Sequence, residues 1–352
     1  MSKDANNLEP RRARARVWGW LRGALVMLLA PAGCAWMLGR WSYYLDVIAV
    51  YQLQISLLIG LIAMALLVCR CWRCGLPLIL ISALGIWSVV QGRALTLPEV
   101  DFSRNPRDVI RVVSCNINPK NPDWRAGFDQ LLDLDADILV LIESPWQLSR
   151  SVMKEGHLKK TPYRTYAHRN WVDKETSPCF VISKWDMARL DVGPEPMMRQ
   201  QILHARIDHP AGEIVVGPLH PLSPRDEARW DAGNRAIDLQ AHGAEQRLSG
   251  SGLPLLLCGD LNAGPAQLRA RTIRGAGMSM SKPVLRSAGS FPEGGDVPGL
   301  VMLQLDDCWH SDGVRPVAWS MFPVIGSDHR AVIVDFVIQA RRPEPSSRAS
   351  SP

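Results

Sequence analysis

The chain has 352 residues and a formal net charge of +6, and this charge is unevenly distributed. Residues 1–100 contain ten Lys/Arg and four Asp/Glu side chains, so the remaining 30 basic and 30 acidic side chains balance. The C-terminal part therefore lacks the basic surplus that favours nucleic-acid binding. A hydrophobic content of 47% also excludes an intrinsically disordered or fibrous chain.

Three apolar runs occupy the first quarter of the chain, at 17–39, 47–69 and 76–91. Runs near 20 residues match a hydrocarbon core of roughly 30 Å, because a helix rises about 1.5 Å per residue. The third run is shorter, and a buried core helix is its alternative. The sequence predicts three transmembrane helices, with two as the alternative.

Basic residues flank these runs and predict their orientation. The arm before the first run and the turn at 70–73 are rich in Arg, whereas the turn at 40–46 has Arg40 as its only base. Basic flanks stay on the cytoplasmic side. Three helices would place everything after residue 93 outside the cytoplasm, and two would place it inside.

The C-terminal part alternates strand-like and helix-like segments. Strands are predicted at 109–116, 138–142, 179–183, 202–208, 213–219, 255–259, 303–308 and 331–338, and helices at 123–134 and 225–247. This order is typical of a layered α/β domain. The predicted organisation is a cytoplasmic basic arm at 1–16, a membrane anchor at 17–92, a linker at 93–108, an α/β domain at 109–340 and a disordered tail at 341–352.

Four cysteines each lie inside a strand-like run: Cys115, Cys179, Cys258 and Cys308. Buried free cysteine is common in protein cores. A disulfide is compatible with an extracytoplasmic domain, but the spacing does not require one.

Polar side chains follow five of the apolar strands. They are Asn116 with Asn118, Glu143, His220, Asp260 with Asn262, and Asp328 with His329. Strand ends and their loops form the ligand crevice of layered α/β domains. The sequence has no serine or cysteine nucleophile elbow, glycine-rich phosphate loop or HExxH motif. Oxygen-rich ligands suit Mg²⁺ or Mn²⁺, so the pattern predicts metal-assisted hydrolysis.

Six short motifs follow one another in this part of the chain. They are NIN at 116–118, ADILVLIE ending at Glu143, LHPLSP with His220, CGDLNAGP with Asp260, LDD around Asp306, and GSDHRAV with His329. In this order they resemble the endonuclease/exonuclease/phosphatase superfamily over residues 109–338. The N-terminal helices and the HPxxP form resemble its membrane-anchored bacterial branch. The resemblance implies N-terminal transmembrane helices followed by a four-layer α/β sandwich.

The resemblance also implies a role for each matching residue. Glu143, helped by Asn116, and Asp328 would bind Mg²⁺ or Mn²⁺. Asp260 would orient or deprotonate the attacking water, and Asn262 would hold the phosphoryl oxygens.

Two histidines complete the implied site. His329 would face the scissile phosphate and would need a carboxylate partner, and His220 would donate a proton to the leaving oxygen or bind the phosphate. Strand alternation places Asp306 and Asp307 on opposite faces. Asp306 is the predicted partner of His329, and Asp307 is the alternative because the aspartate is doubled.

Two departures from the family pattern bear on the substrate. Pro178-Cys179 stands where the family often has glycine, and Ser290-Phe291-Pro292 stands where the branch often has Thr-Trp-Pro. Both segments shape the substrate pocket.

The resemblance therefore implies a membrane-anchored, metal-dependent phosphoesterase at 109–340, in a bacterial inner membrane with a periplasmic catalytic domain. A catalytically inactive binding or scaffold protein on the same fold is the alternative. The substrate would be a phosphoester, namely a lipid head group, a small phosphoester or nucleic acid. Membrane lipid would surround the anchor, and no obligate protein partner is evident.

Overall fold

The computed structural model describes residues 8–98, 109–153, 163, 165–169, 179–190, 203–250, 252–286, 288–294, 297–299 and 301–339. The chain divides into two compact units, Met1–Gln91 with Ala263–Arg271, and Gly92–Asn262 with Thr272–Pro352. The predicted tail at 341–352, Pro178 and most of the predicted linker lie outside the described residues.

The first unit is helical. Its helices are α1 (Leu8–Gly33), α2 (Ala35–Leu38), α3 (Tyr43–Ile48), a 3₁₀ turn (Ala49–Tyr51), α4 (Gln52–Val68) and α5 (Trp72–Val90). Within the described part, two helical stretches are long and apolar enough to cross a membrane, Tyr43–Val68 and Trp72–Val90. The apolar part of α1, Gly23–Gly33, is shorter. The three-helix anchor and its boundaries stay predictions.

Helices α4 and α5 pack closely through small and polar side chains. The Ser82 hydroxyl of α5 donates to the carbonyl of Ser56 in α4 at 2.7 Å. Gln52 Nε2 of α4 donates to the carbonyl of Gly33 at the end of α1 at 2.8 Å, so α1 is tied to the same pair. A Cβ on Gly85 would lie 2.1 Å from Ser56 Oγ, so glycine is needed for this approach. Small residues and interhelical hydrogen bonds are how helices associate when no water drives them together.

The second unit contains two six-stranded sheets. The strands are β1 (Val109–Asn116), β2 (Ile138–Ile142), β3 (Thr165–Arg169), β4 (Cys179–Ser183), β5 (Met187–Leu190), β6 (His204–His209), β7 (Gly212–Leu219), β8 (Leu255–Asp260), β9 (Ser279–Met280), β10 (Asp306–His310), β11 (Val314–Pro323) and β12 (Arg330–Ile338). The strand orders are β11-β12-β1-β2-β4-β3 and β5-β6-β7-β8-β10-β9. Strands β1 and β2 pair in parallel, as do β7 and β8. These two parallel pairs lie at the centres of the first and second sheets, respectively.

The two sheets pack face to face. One apolar cluster joins Val112 and Val140 of the first sheet to Val216 and Leu256 of the second. The remaining helices are α6 (Trp124–Leu132), α7 (Trp146–Met153), α8 (Glu227–Gly250) and α9 (Leu268–Gly275). A second cluster packs α6 and α7 against the outer face of the first sheet. The predicted α/β sandwich is confirmed, with helices outside two central sheets.

The pattern-based prediction finds the central strands and misses the edges. All eight predicted strands exist, although 303–308 is displaced to Asp306–His310. Among the described residues, the strands that were not predicted are β3, β5, β9 and β11, and each lies at an edge of its sheet. Strand β11 contains Pro316 and a register shift beside it, and proline within an apolar run argues against a strand unless that strand is an edge.

His204 of β6 is fully buried and predicts a pH-dependent stability. Burial, reinforced by the positive charge of Arg247, lowers the pKa of His204 to about 4, although the Gln240 amide partly opposes this shift. In the unfolded chain His204 therefore takes up a proton near pH 6.5, whereas in the folded protein it does so only near pH 4. We expect about 3 kcal/mol of unfolding free energy to be lost as the pH falls from 6.5 to 4. Denaturant unfolding at several pH values measures this loss.

The matched control for this prediction is exposed His242 of α8. His204→Leu should reduce the acid-dependent loss of stability, whereas His242→Gln should leave it unchanged. An equal pH dependence in wild type and His204→Leu would contradict the prediction.

Candidate active site

Three strand ends of the second unit turn through left-handed backbone conformations. Asn118, Glu143 and Asn262 have φ angles of 67°, 51° and 49°. Non-glycine residues rarely adopt this region, and such strain concentrates at functional sites. The sharp turns place side chains at the ends of β1, β2 and β8 beside one another.

Asp260 lies at the centre of a buried polar network. Asn116 Nδ2 donates to Asp260 Oδ2 at 3.2 Å, and His329 Nε2 lies 3.9 Å from the same oxygen. Burial and the neighbouring Asp306 carboxylate raise the pKa of Asp260. A carboxylate with a raised pKa is a stronger base than an ordinary aspartate.

His329 pairs with Asp306. Its Nδ1 donates to Asp306 Oδ2 at 2.7 Å, and both side chains are buried. Burial alone would lower the pKa of His329, but the charges of Asp306, Asp260 and Asp328 and the hydrogen bond to Asp306 raise it to about 10. His329 therefore carries a proton at neutral pH.

Asp307 has different partners. Its carboxylate accepts hydrogen bonds from Trp319 Nε1 at 3.1 Å, the Lys282 backbone N–H at 3.2 Å and the Cys308 N–H at 2.9 Å. The structure thus brings Asp306, and not Asp307, to His329. The alternation of side chains along β10 accounts for the separation.

Glu143 and His220 form a second pair. His220 Nε2 donates to Glu143 Oε1 at 3.0 Å. Burial raises the pKa of Glu143, but hydrogen bonds from His220 and Asn116 outweigh burial and lower it. Burial lowers the pKa of His220, but hydrogen bonds to the Cys179 sulfur and Glu143 raise it to about 10. Because Asn116 contacts both Asp260 and Glu143, it joins the two groups.

Asn262 and Asp328 lie at the edge of these groups. The Asn262 N–H donates to Asp260 Oδ1 at 2.7 Å, and Asn262 Nδ2 donates to the carbonyl of Pro221 at 3.1 Å. Asn262 thus fixes Asp260 and ties β8 to the loop after His220. Asp328 is half-buried, and its carbonyl accepts the Glu293 N–H at 2.7 Å.

The donor set fits a divalent cation. Asp260, Asp306 and His329 each place one potential ligand atom within 4.8 Å of the others, and His329 can bind an ion only after it loses its proton. Asp306 Oδ1 is buried and has no hydrogen-bond partner among the described residues. Buried polar atoms are normally satisfied, so this oxygen is available to a ligand. The predicted metal set of Asn116, Glu143 and Asp328 borders this cluster, and which set holds an ion stays a prediction.

Three residues that were not predicted as site residues support these groups. The Ser327 hydroxyl donates to the Asn116 carbonyl at 2.6 Å and accepts the His329 N–H at 3.0 Å. Ser290 Oγ accepts the Asp306 N–H at 3.1 Å. The Phe291 ring lies 4.8 Å from the His329 ring, measured between centroids. These residues belong to the GSDH and SFP segments of the sequence, but their position in the sequence does not reveal which side chains they contact.

The fold and site together define a two-sheet α/β sandwich with carboxylate, amide and imidazole groups at its strand ends. The profile of the Endonuclease/Exonuclease/phosphatase family matches residues 113–329, which is more than half of the chain. The chain belongs to this family.

Several solved structures of low sequence identity are similar to this chain. An endonuclease/exonuclease/phosphatase from Bacteroides vulgatus has 15% identity and a TM-score of 0.50, covering 66% of this chain and 99% of its own. The 3′ phosphatase NExo from Neisseria, bound to a product DNA hairpin, has 14% identity and a TM-score of 0.48, covering 64% and 98%. The human Nocturnin catalytic domain with bound sulfate has 16% identity and a TM-score of 0.46, covering 70% and 98%. None of the curated proteins matches the sequence.

Proposed function

We propose that the chain is a membrane-anchored, metal-dependent phosphoesterase that hydrolyses its substrate with an activated water molecule. The observation that supports this proposal is the Asn116-centred network, which joins Asp260 and Glu143 at the ends of three strands. His220 and His329 extend it through their carboxylate partners. The five sequence segments contribute complementary acids and bases to one crevice.

Asn116, Glu143 and Asp328 are the proposed metal ligands, and the ion is Mg²⁺ or Mn²⁺. When bound, it supplies Lewis acidity and lowers the pKa of water. Asp260 orients the attacking water and accepts its proton, because its raised pKa suits a general base. Asn262 holds Asp260 in place and, in our proposal, also contacts the phosphoryl oxygens.

The two histidines act on different oxygens of the reacting phosphoester. Asp306 keeps His329 protonated and oriented, so His329 stabilises negative charge on the phosphoryl group. Glu143 holds His220 at the other side, where the imidazolium donates a proton to the leaving oxygen. Each histidine therefore has its own carboxylate partner.

Metal removal is expected to abolish hydrolysis reversibly. EDTA should reduce the activity of the full chain to background, and Mg²⁺ or Mn²⁺ should restore it. Glu143→Gln should weaken Mn²⁺ binding at least about tenfold, because it removes a ligand charge and the charge that fixes His220. Calorimetric titration measures the binding.

Exposed Glu227 at the start of α8 provides the matched control. Glu227→Gln should bind Mn²⁺ like wild type. Unchanged Mn²⁺ binding and activity in Glu143→Gln would contradict the proposed role of Glu143.

We also propose that the anchor lies in a bacterial inner membrane with the catalytic domain in the periplasm. Two apolar helical stretches, Tyr43–Val68 and Trp72–Val90, support the anchor. The periplasmic placement depends on the apolar segment Gly23–Gly33 of α1 acting as a third span and on the basic flanks of the N-terminal region. An alkaline phosphatase fusion at the C-terminus should be active, and a green fluorescent protein fusion dark. The reverse result would place the domain in the cytoplasm and favour two transmembrane helices.

The proposed substrate is a phosphoester near the membrane surface, such as a lipid head group, or a small soluble phosphoester. The charge-balanced C-terminal part lacks the basic surplus that favours duplex binding. The full chain in detergent with Mg²⁺ or Mn²⁺ should cleave a lipid phosphodiester or a small phosphomonoester faster than duplex DNA. Hydrolysis of none of these, together with no metal binding, would favour the inactive scaffold.

A further inference from the structure

Two cysteines of the second sheet face each other across neighbouring strands. Cys258 of β8 and Cys308 of β10 are register partners in an antiparallel pair. Both side chains are fully buried in the apolar layer between the sheets, and the two thiols share a hydrogen bond. Both are free thiols in the structure, and their sulfur atoms are in contact.

This arrangement has the spacing that a cross-link requires. Directly opposed residues of an antiparallel pair have Cα atoms about 4.5 or 5.5 Å apart. Disulfides span Cα distances of roughly 4.4 to 6.8 Å. Both side chains also point to the same face of the sheet, so no backbone rearrangement is needed. We propose that Cys258 and Cys308 are joined by a disulfide in the mature protein.

The other two strand cysteines lack this geometry. Cys115 points to the opposite face of the first sheet, into the cluster beneath α6 and α7. Cys179 lies on β4, also in the first sheet, and contacts His220. Neither cysteine therefore has a cysteine opposite it in the strand register with which to form a disulfide.

The cross-link rests on the periplasmic location proposed above, and it forms by thiol–disulfide exchange with a protein disulfide oxidant. One cysteine thiolate attacks the oxidant's disulfide and gives a mixed disulfide, and the second thiolate then displaces the oxidant's sulfur. The two cysteine protons and the two electrons pass to the oxidant, which leaves as a dithiol. Burial raises the pKa of the Cys308 thiol in the folded protein, so exchange takes place during folding, before the sheets close.

The position of the cross-link connects it to the candidate active site. Asp260 and Asp306 are also register partners, two residues further along the same strands. The disulfide would fix the strand pair that carries both carboxylates. It would also close a loop of about 50 residues that contains α9, Ser290 and Phe291, which restricts the unfolded chain.

Peptide mapping of the full chain tests the cross-link. The protein is taken from bacterial membranes, denatured with N-ethylmaleimide and no reductant, digested and analysed by mass spectrometry. We expect a linked peptide pair containing Cys258 and Cys308, with both cysteines alkylated only after reduction. Recovery of both as N-ethylmaleimide adducts without reduction would overturn the proposal.

Thermal unfolding in detergent provides a second measurement that needs no enzymatic activity. Dithiothreitol should lower the Tm of wild type and of Cys115→Ala by roughly 10 °C, because the closed loop is long. The Cys258→Ala/Cys308→Ala double variant should melt at the same temperature with and without reductant. An equal Tm for wild type in the two buffers would contradict the cross-link, whatever the outcome for hydrolysis.

Discussion

Replacing Asp260 with alanine is expected to lower kcat at least about a thousandfold while the protein remains folded. The proposed base is lost, and the hydrogen-bonded position that Asp260 shares with Asn116 and Asn262 is emptied. General-base catalysis and preorganised charge each contribute about a hundredfold or more in enzymes. Steady-state kinetics of the full chain with Mg²⁺ or Mn²⁺ measure the loss, and circular dichroism confirms the fold.

The stability of the Asp260→Asn variant separates a catalytic role from a structural one. The raised pKa of Asp260 shows that its charged form is disfavoured in the folded protein. The neutral amide should therefore leave Tm unchanged or raise it by a few degrees, while hydrolysis is lost. Asp231→Ala, at an exposed position of α8, is the matched control and should keep full activity. A large drop in Tm with retained kcat would contradict the proposed role.

How much of the fold can be predicted from sequence depends on where each strand lies. Central strands such as β2 (Ile138–Ile142) are buried on both faces, so they read as uninterrupted apolar runs. Edge strands bury less and tolerate polar residues and proline, as β5 (Met187–Leu190) and β11 (Val314–Pro323) show. Both strands pair with the next strand in the chain, β6 and β12, so their mixed composition, and not the sequence distance to a partner, hides them from a local pattern.

The candidate site also contains residues that the sequence predicts and residues that only the structure identifies. Glu143, Asp260 and His329 stand at strand ends, where a polar residue after an apolar run is conspicuous in the sequence. Ser290 and Ser327 act through hydrogen bonds that their hydroxyl groups accept from the backbone N–H groups of Asp306 and His329. Serine in a loop is common, so only the folded structure identifies these two as supporting residues.

The doubled aspartate of β10 predicts opposite results for two neighbouring substitutions. Asp306→Asn should lower kcat on the order of a thousandfold or more, because the amide cannot hold His329 protonated and in the required tautomer. Asp307→Ala should instead retain most of kcat but melt roughly 6 to 12 °C lower.

The loss of stability in Asp307→Ala has two causes. Trp319 Nε1 and the Lys282 backbone N–H lose their acceptor inside the protein, which costs about 1–3 kcal/mol for each group. Buried Lys282 also loses a nearby negative charge that favours its protonated form. Kinetics and thermal unfolding of both variants, measured side by side, test the assignment. If Asp307→Ala abolished hydrolysis at an unchanged Tm while Asp306→Asn remained active, Asp307 would be the functional partner of His329.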